Sequence, residues 1–197
     1  MKKRIIVACL AAVISLAAGT AGAESIKGRF GLTGKLGFIV PAENESDFFP
    51  NRTDSGFIGG GGAIYGIDDR LALVLEGTHA SFGSETGDFG VTDLSLGGQY
   101  RLAMPRNPLV PYLGAGVDIL VADYDPYDGS RQDVDTTVGM HLSGGVDYFL
   151  HPNLALNAEL RGVLTGEADI KDRFGDHVGN FDGSGFSGTV GIRYFIK

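Results

Sequence analysis

His79 and Ser81 sit two residues apart, and Asp93 follows a little further on. A hydroxyl, an imidazole and a carboxylate are the parts of a serine hydrolase, provided the base lies within hydrogen-bond reach of the hydroxyl. In an extended chain His79 and Ser81 point to the same side. Asp93 falls in the opposite register of its own stretch, which argues against an assembled triad. Asp123-x-Asp125-x-x-Asp128-Gly129 hints at a calcium loop, but such a loop needs an oxygen ligand at its fifth position, and Tyr127 stands there. It reads as a solvated acidic loop, with weak divalent bridging to anionic glycolipid as the residual alternative. The run Gly59 to Gly62 is not followed by Lys-Ser/Thr, so it is no phosphate loop. We therefore expect no catalytic residue, no cofactor and no metal site, and a protein that is not an enzyme.

The remaining charged residues acquire meaning only once the elements that carry them are placed. Lys2, Lys3 and Arg4 precede an apolar run from Ile5 to Ala18, and Ala21-Gly22-Ala23 has the small-x-small form of a cleavage site. Residues 1–23 thus read as a secretory signal peptide, leaving 24–197 as the working domain. The one cysteine, Cys9, lies inside that leader, so disulfide and thiolate chemistry are not expected. The chain carries a net charge of -8. Removing the leader's three cations makes it about -11, which argues against a nucleic-acid partner. After the leader no apolar run approaches the roughly 20 residues of a membrane helix.

Period-two alternation recurs through the rest of the chain. It predicts eight strands at Ile26–Val40, Gly56–Ile67, Leu71–Phe82, Val91–Leu102, Val110–Ala122, Thr136–Phe149, Leu154–Leu164 and Gly185–Lys197. The connections after odd strands are long and polar: Pro41–Ser55, Gly83–Gly90, Asp123–Asp135 and Thr165–Gly183. Those after even strands are short. Antiparallel hairpins put all the long loops at one end.

Alternation alone does not say which face is inside. The eight apolar registers contain no Lys, Arg, Asp or Glu, and His79 is their one imidazole. The opposite registers hold Lys27, Arg29, Lys35, Glu76, Asp93, Arg101, Asp118, His141, Asp147, Glu159, Arg161 and Arg193 among Gly, Ser, Thr and Ala. A soluble barrel would place the charges outside. A transmembrane barrel would place them inside, since Arg or Lys at mid-bilayer costs about 2–4 kcal/mol. Tyr65, Tyr100, Tyr148 and Tyr194 lie on the apolar face near the short-turn ends, where interfacial aromatics belong, and Phe38, Phe57 and Phe186 lie near the loop ends. The pattern points to an all-β, eight-stranded antiparallel up-and-down transmembrane barrel. Its lumen would hold a polar network of Glu76, Asp93, Arg101, Asp118, His141, Asp147, Glu159, Arg161 and Arg193. The charges nearly balance, as buried charges must, and eight strands leave an interior just wide enough for side chains to fill.

Val110-Pro111-Tyr112-Leu113-Gly114-Ala115-Gly116-Val117, Leu154 to Arg161 and Gly191-Ile192-Arg193-Tyr194-Phe195 resemble the small outer-membrane β-barrels of Gram-negative bacteria, the OmpA/OmpX/OmpW-like, porin-family proteins. The resemblance covers the whole of 24–197. It implies export through the periplasm to the outer membrane, contact with outer-membrane lipid and lipopolysaccharide, and delivery to the barrel-assembly machinery. It fixes architecture rather than activity. One departure is the end of the chain. The family commonly closes on an aromatic residue, whereas Ile196 occupies that outward register here and Lys197 follows. The outward His79 and Ser81 are similar to part of the arrangement in outer-membrane lipid A deacylases. The reading that follows is a structural or surface-interaction role through long acidic loops, with an unknown extracellular ligand there as a candidate partner. The alternatives are a narrow channel for ions or small apolar solutes, and a lipid A-modifying enzyme.

Overall fold

The computed structural model describes residues 25–42, 44–45, 50–51, 53–85, 87–102, 107–127, 132–171 and 177–196. The expected leader, residues 1–23, and the terminal Lys197 lie outside the described residues. Eight long strands form the wall: β1 Phe30–Pro41, β2 Gly56–Gly66, β3 Leu71–Gly83, β4 Gly87–Arg101, β5 Leu109–Pro126, β6 Thr137–His151, β7 Leu154–Thr165 and β8 Gly185–Ile196. Each pairs antiparallel with its neighbours in chain order. The sheet closes where β8 meets β1, from Phe30 opposite Ile196 to Pro41 opposite Gly185.

Exposure decides which face is inside. Glu76, Arg101, Asp118, Asp147 and Arg193 are all buried. Leu142, Leu160, Leu164 and Phe186 are each about 70% exposed on the outer wall. Such apolar surface runs right round the barrel, far beyond the few hundred Å² that a soluble monomer tolerates. Polar inside and apolar outside is the arrangement of a barrel solvated by lipid. No helix among the described residues is long and apolar enough to cross a membrane.

The strand ends depart from the sequence reading in four places. The first strand starts at Phe30, not Ile26. Gly28 takes φ 70°, a left-handed conformation open to glycine without a Cβ penalty. The chain turns there, so Ile26 packs inward while Lys27 stands exposed rather than in the lumen. The fourth strand begins at Gly87, so most of the expected loop 83–90 is strand; Ser84 closes a tight turn through N–H and Oγ bonds to the Gly87 carbonyl. The fifth strand runs on to Pro126, through the first four residues of the expected acidic loop. The expected loop 165–183 holds a hairpin of Glu167–Lys171 and His177–Asp182, which pairs onto Gln132–Val134 and so extends the β5 edge beyond the barrel. Alternation continues in these extensions with its polarity reversed: Phe89 and Tyr124 point inward, Asp88, Asp123 and Asp125 outward.

Inside, the barrel is layered. Ile26, Ile64, Ala72, Val74, Val110, Phe149, Ala155 and Phe195 fill the short-turn end. At the loop end Phe82, Phe89, Tyr124 and Phe181 stack with centroid spacings of 4.4–5.6 Å, among Val91, Leu120, Val134, Ala168 and Ile170. The charges lie between these two apolar plugs.

Candidate functional site

The charged layer joins seven of the eight strands. Near the loop end Lys35 (β1) donates to Glu76 Oε2 (β3) at 2.7 Å and to Glu159 Oε1 (β7) at 3.1 Å. Arg161 (β7) donates through Nη2 to Glu76 and through Nη1 to Ser95 Oγ at 3.2 Å. Its Nη1 also lies 3.7 Å from Asp93 Oδ2 and 4.0 Å from Asp118 Oδ1. His141 Nδ1 reaches Asp118 Oδ1 at 2.8 Å. This half carries more carboxylates than fixed cations. The lower half has the opposite balance: Arg101 Nη2 and Arg193 Nη1 both donate to Asp147 Oδ2 at 2.7 Å. Arg193 Nε adds a bond of 3.0 Å to Thr33 Oγ1.

Tyr112 and Asn157 link the halves. Tyr112 donates to Glu159 Oε2 at 3.0 Å, and Asn157 Nδ2 donates to Tyr112 Oη at 2.9 Å and to Asp147 Oδ1 at 2.7 Å. The Arg101 and Arg193 guanidinium carbons lie 5.9 and 5.7 Å from the Tyr112 ring centre, in cation–π range. Below them Arg29 donates to Pro152 O and Asn153 Oδ1 and lies over Phe195. All nine lumen residues named from the sequence therefore point inward and enter one connected network. Lys35, Tyr112, Asn157 and Thr33 belong to it as well. The sequence held a signal for two of its bulkier members: inward glycines. A Cβ at Gly145 would overlap the Tyr112 hydroxyl, and one at Gly116 would come within 2.6 Å of His141 Cε1.

Two small voids lie in this packing among the described residues. One of about 10 Å³ lies beside Ser95, Gln99, His141 and Arg161. A second, of about 50 Å³, lies between the charged layer and the aromatic plug, with Lys35, Asp93 and Arg161 on one side and Ile39, Ile58, Phe82, Leu120 and Phe181 on the other. Phe186, on the outer register, borders it too, where β7–β8 pairing ends at Val163 opposite Gly185.

The other candidates sit on the outer wall. Ser81 Oγ is 3.4 Å from His79 Nε2, and His79 Nδ1 is 3.0 Å from Thr92 Oγ1. Asp93 faces the lumen and Arg161, so it does not complete a triad with them. Asp123 and Asp125 project outward from β5, and Asp128 lies outside the described residues. Tyr65, Tyr100 and Tyr194 stand exposed at the short-turn end of the wall, with Tyr148 half-buried beside Leu109. In the short turn itself the Asp68 carboxyl is held below its ordinary range by the N–H groups of Arg70 and Leu71.

The profile of the outer membrane protein beta-barrel domain matches residues 8–194. The chain belongs to the outer-membrane β-barrel family. Solved barrels of this kind superpose on it. OprG of Pseudomonas aeruginosa is 18% identical, with a TM-score of 0.68 over 89% of this chain and 98% of its own. Neisserial surface protein A is 21% identical, with a TM-score of 0.65 over 87% and 99%. Outer membrane protein W of E. coli is 18% identical, with a TM-score of 0.50 over 86% and 98%. At these identities the likeness establishes the fold alone; the outer-membrane location follows from the family. No curated protein sequence matches the chain.

Proposed function

We propose that this protein is a non-enzymatic, non-conducting outer-membrane barrel that acts at its loop end, through structural or surface interactions. The observation that carries the reading is the filled lumen. An ion would have to displace buried charges from Asp118 to Arg193, linked through Tyr112 and Asn157, and then an apolar plug at either end. Breaking one buried pair costs about 3–5 kcal/mol, and a conducting path breaks several. The loop end carries the extended hairpin and exposed carboxylates such as Asp88, Asp123 and Asp125, a surface suited to cationic or metal-bridged partners outside the cell. One structural relative is by name a surface protein, which supports the same direction. In this reading the tyrosines at the short-turn end anchor the barrel at the inner interface, and the wall contacts lipid and lipopolysaccharide. Liposome swelling tests it. Proteoliposomes should shrink and reswell in small sugars and amino acids no faster than empty liposomes. Swelling that scales with protein content would refute the closed lumen.

A second reading has one observation of its own. The loop-end cavity is mostly apolar and touches Phe186 at the wall, where the β7–β8 pairing stops. A small apolar solute could lodge there and leave sideways. Uptake of an apolar fluorescent probe by proteoliposomes, lost on Gly185→Leu, would favour it.

A further inference from the structure

The void of about 50 Å³ beneath the aromatic plug is lined by two polar side chains with unmet hydrogen-bonding capacity. Thr189, on the inward register of β8, is 6% exposed, and its Oγ1 has no hydrogen-bond partner among the described residues. Asp93 lines the void from β4. Its Oδ1 is buried and likewise without a partner among the described residues, and its Oδ2 lies 3.7 Å from Arg161 Nη1, beyond hydrogen-bond length. A buried polar atom left unpaired is costly, and a charged one more so. Buried polar atoms in native proteins are therefore nearly always met by a partner.

Charge beside the void is unbalanced as well. Lys35 donates to Glu76 and Glu159, and the Arg161 guanidinium is shared among Glu76, Asp93, Asp118 and Glu159. His141, bonded to Asp118, adds at most one more positive charge. The surplus cation of the lower half is spent on Asp147, beyond Tyr112 and Asn157. Asp182, also on the lining, already accepts from the Ser184 N–H and the Thr165 hydroxyl. Asp93 is thus the place for one further cation. The rest of the lining is largely apolar, with Ile39, Ile58, Leu120 and Phe181. At about 10–15 Å³ for each water-sized group, 50 Å³ takes about four heavy atoms. A metal ion would leave the apolar side empty. A neutral alcohol would bring one proton and no charge, and a carboxylate would add to the surplus. A primary alkylammonium brings one charge, three N–H donors and an apolar tail.

We infer that this void is a binding site for a short primary alkylammonium. Asp93 Oδ1 and Thr189 Oγ1 accept its N–H groups, and its chain lies against Leu120 and Phe181. The ligand enters past Phe186, where the β7–β8 pairing ends. The site needs no open path through the lumen and is independent of whether the barrel conducts.

Methyl NMR of the full barrel in dodecylmaltoside micelles tests it, with isoleucine, leucine and valine methyls labelled. Propylammonium, propanol and propionate are titrated separately at about pH 8, where a primary amine is charged. Propylammonium should give saturable shifts at Ile39, Ile58, Val91 and Leu120, and none at Leu113 and Val117 on the outer wall. It should reach half-saturation at about tenfold lower concentration than propanol, the gain of a charged hydrogen bond over a neutral one, and propionate should give no saturable shift. Asp93→Asn should raise the half-saturating concentration about tenfold, and Thr189→Val about threefold. Heat-dependent gel mobility confirms folding, and Thr189→Val carries the test if Asp93→Asn does not fold. Propanol binding as tightly as propylammonium, no saturable shift with propylammonium (a void that holds water only), or an affinity unchanged in the variants would each overturn the proposal.

Discussion

Asp147→Asn tests the charged layer where it is most exactingly paired. Asp147 is fully buried and accepts three bonds of 2.7 Å, from Arg101, Arg193 and Asn157. Arg101 and Arg193 are themselves 1% exposed, so neither can turn to water. Asparagine keeps the shape and one acceptor oxygen but removes the charge. Two guanidinium groups then face each other without a counter-ion. Breaking a buried pair by removing one partner costs about 3–5 kcal/mol. With an m-value near 2 kcal/mol/M, the urea midpoint of the barrel refolded in lipid should fall by about 2 M. Adding Arg101→Gln should restore about 1–2 kcal/mol, because one uncompensated cation is worse than none and two are worse than one. Reversible urea titration, followed by heat-dependent gel mobility and tyrosine fluorescence, measures both. A loss under about 1 kcal/mol, or no recovery in the double variant, would mean that water reaches this layer and that the lumen is not dry.

Three further outcomes are expected. Leu96→Arg, at mid-wall, should destabilise the barrel by about 2–4 kcal/mol, whereas Val121→Arg, level with Thr92 near the rim, should cost about 0–1 kcal/mol; equal costs in a lipid unfolding series would contradict the placement of the wall. Gly145→Ala should cost about 1–3 kcal/mol by pushing the Tyr112 hydroxyl off Glu159 and Asn157, and Tyr112→Phe in the same chain should add little; full additivity would show that the two do not touch. The Tyr127 phenol is pushed up by the Asp88 carboxylate beside it, so in an ultraviolet titration it should ionise above an ordinary tyrosine, and Asp88→Asn should bring it down; no shift would place the two apart.

The wall was legible in the sequence because lipid imposes a strict rule on it. Within the strands a residue that faces the bilayer may not carry a charge, and the charge-free registers follow from that rule. The rule lapses above the membrane, which is why the pattern does not mark the strand ends there: Phe89 and Tyr124 turn inward while Asp88 and Asp123 face water, and the mixture reads as loop. At the other end a single backbone angle at Gly28 reverses the register of Ile26 and Lys27, which no side-chain pattern reveals. The lumen was legible as a set of charges but not as pairs. Arg101 and Asp147 are on strands that do not adjoin, and their meeting depends on shear across the closed sheet. The aromatic plug was hidden for a related reason: Phe82, Phe89 and Phe181 lie on registers that are small and polar elsewhere.

Single-channel recording in planar bilayers bears most directly on the central claim, that the ion-pair layer and its two apolar plugs close the barrel. The wild-type protein, folded by its heat-dependent mobility, should give no current steps above the bare membrane across a range of voltages and salt concentrations. Steady, reproducible conductance steps whose frequency rises with the amount of protein would contradict it.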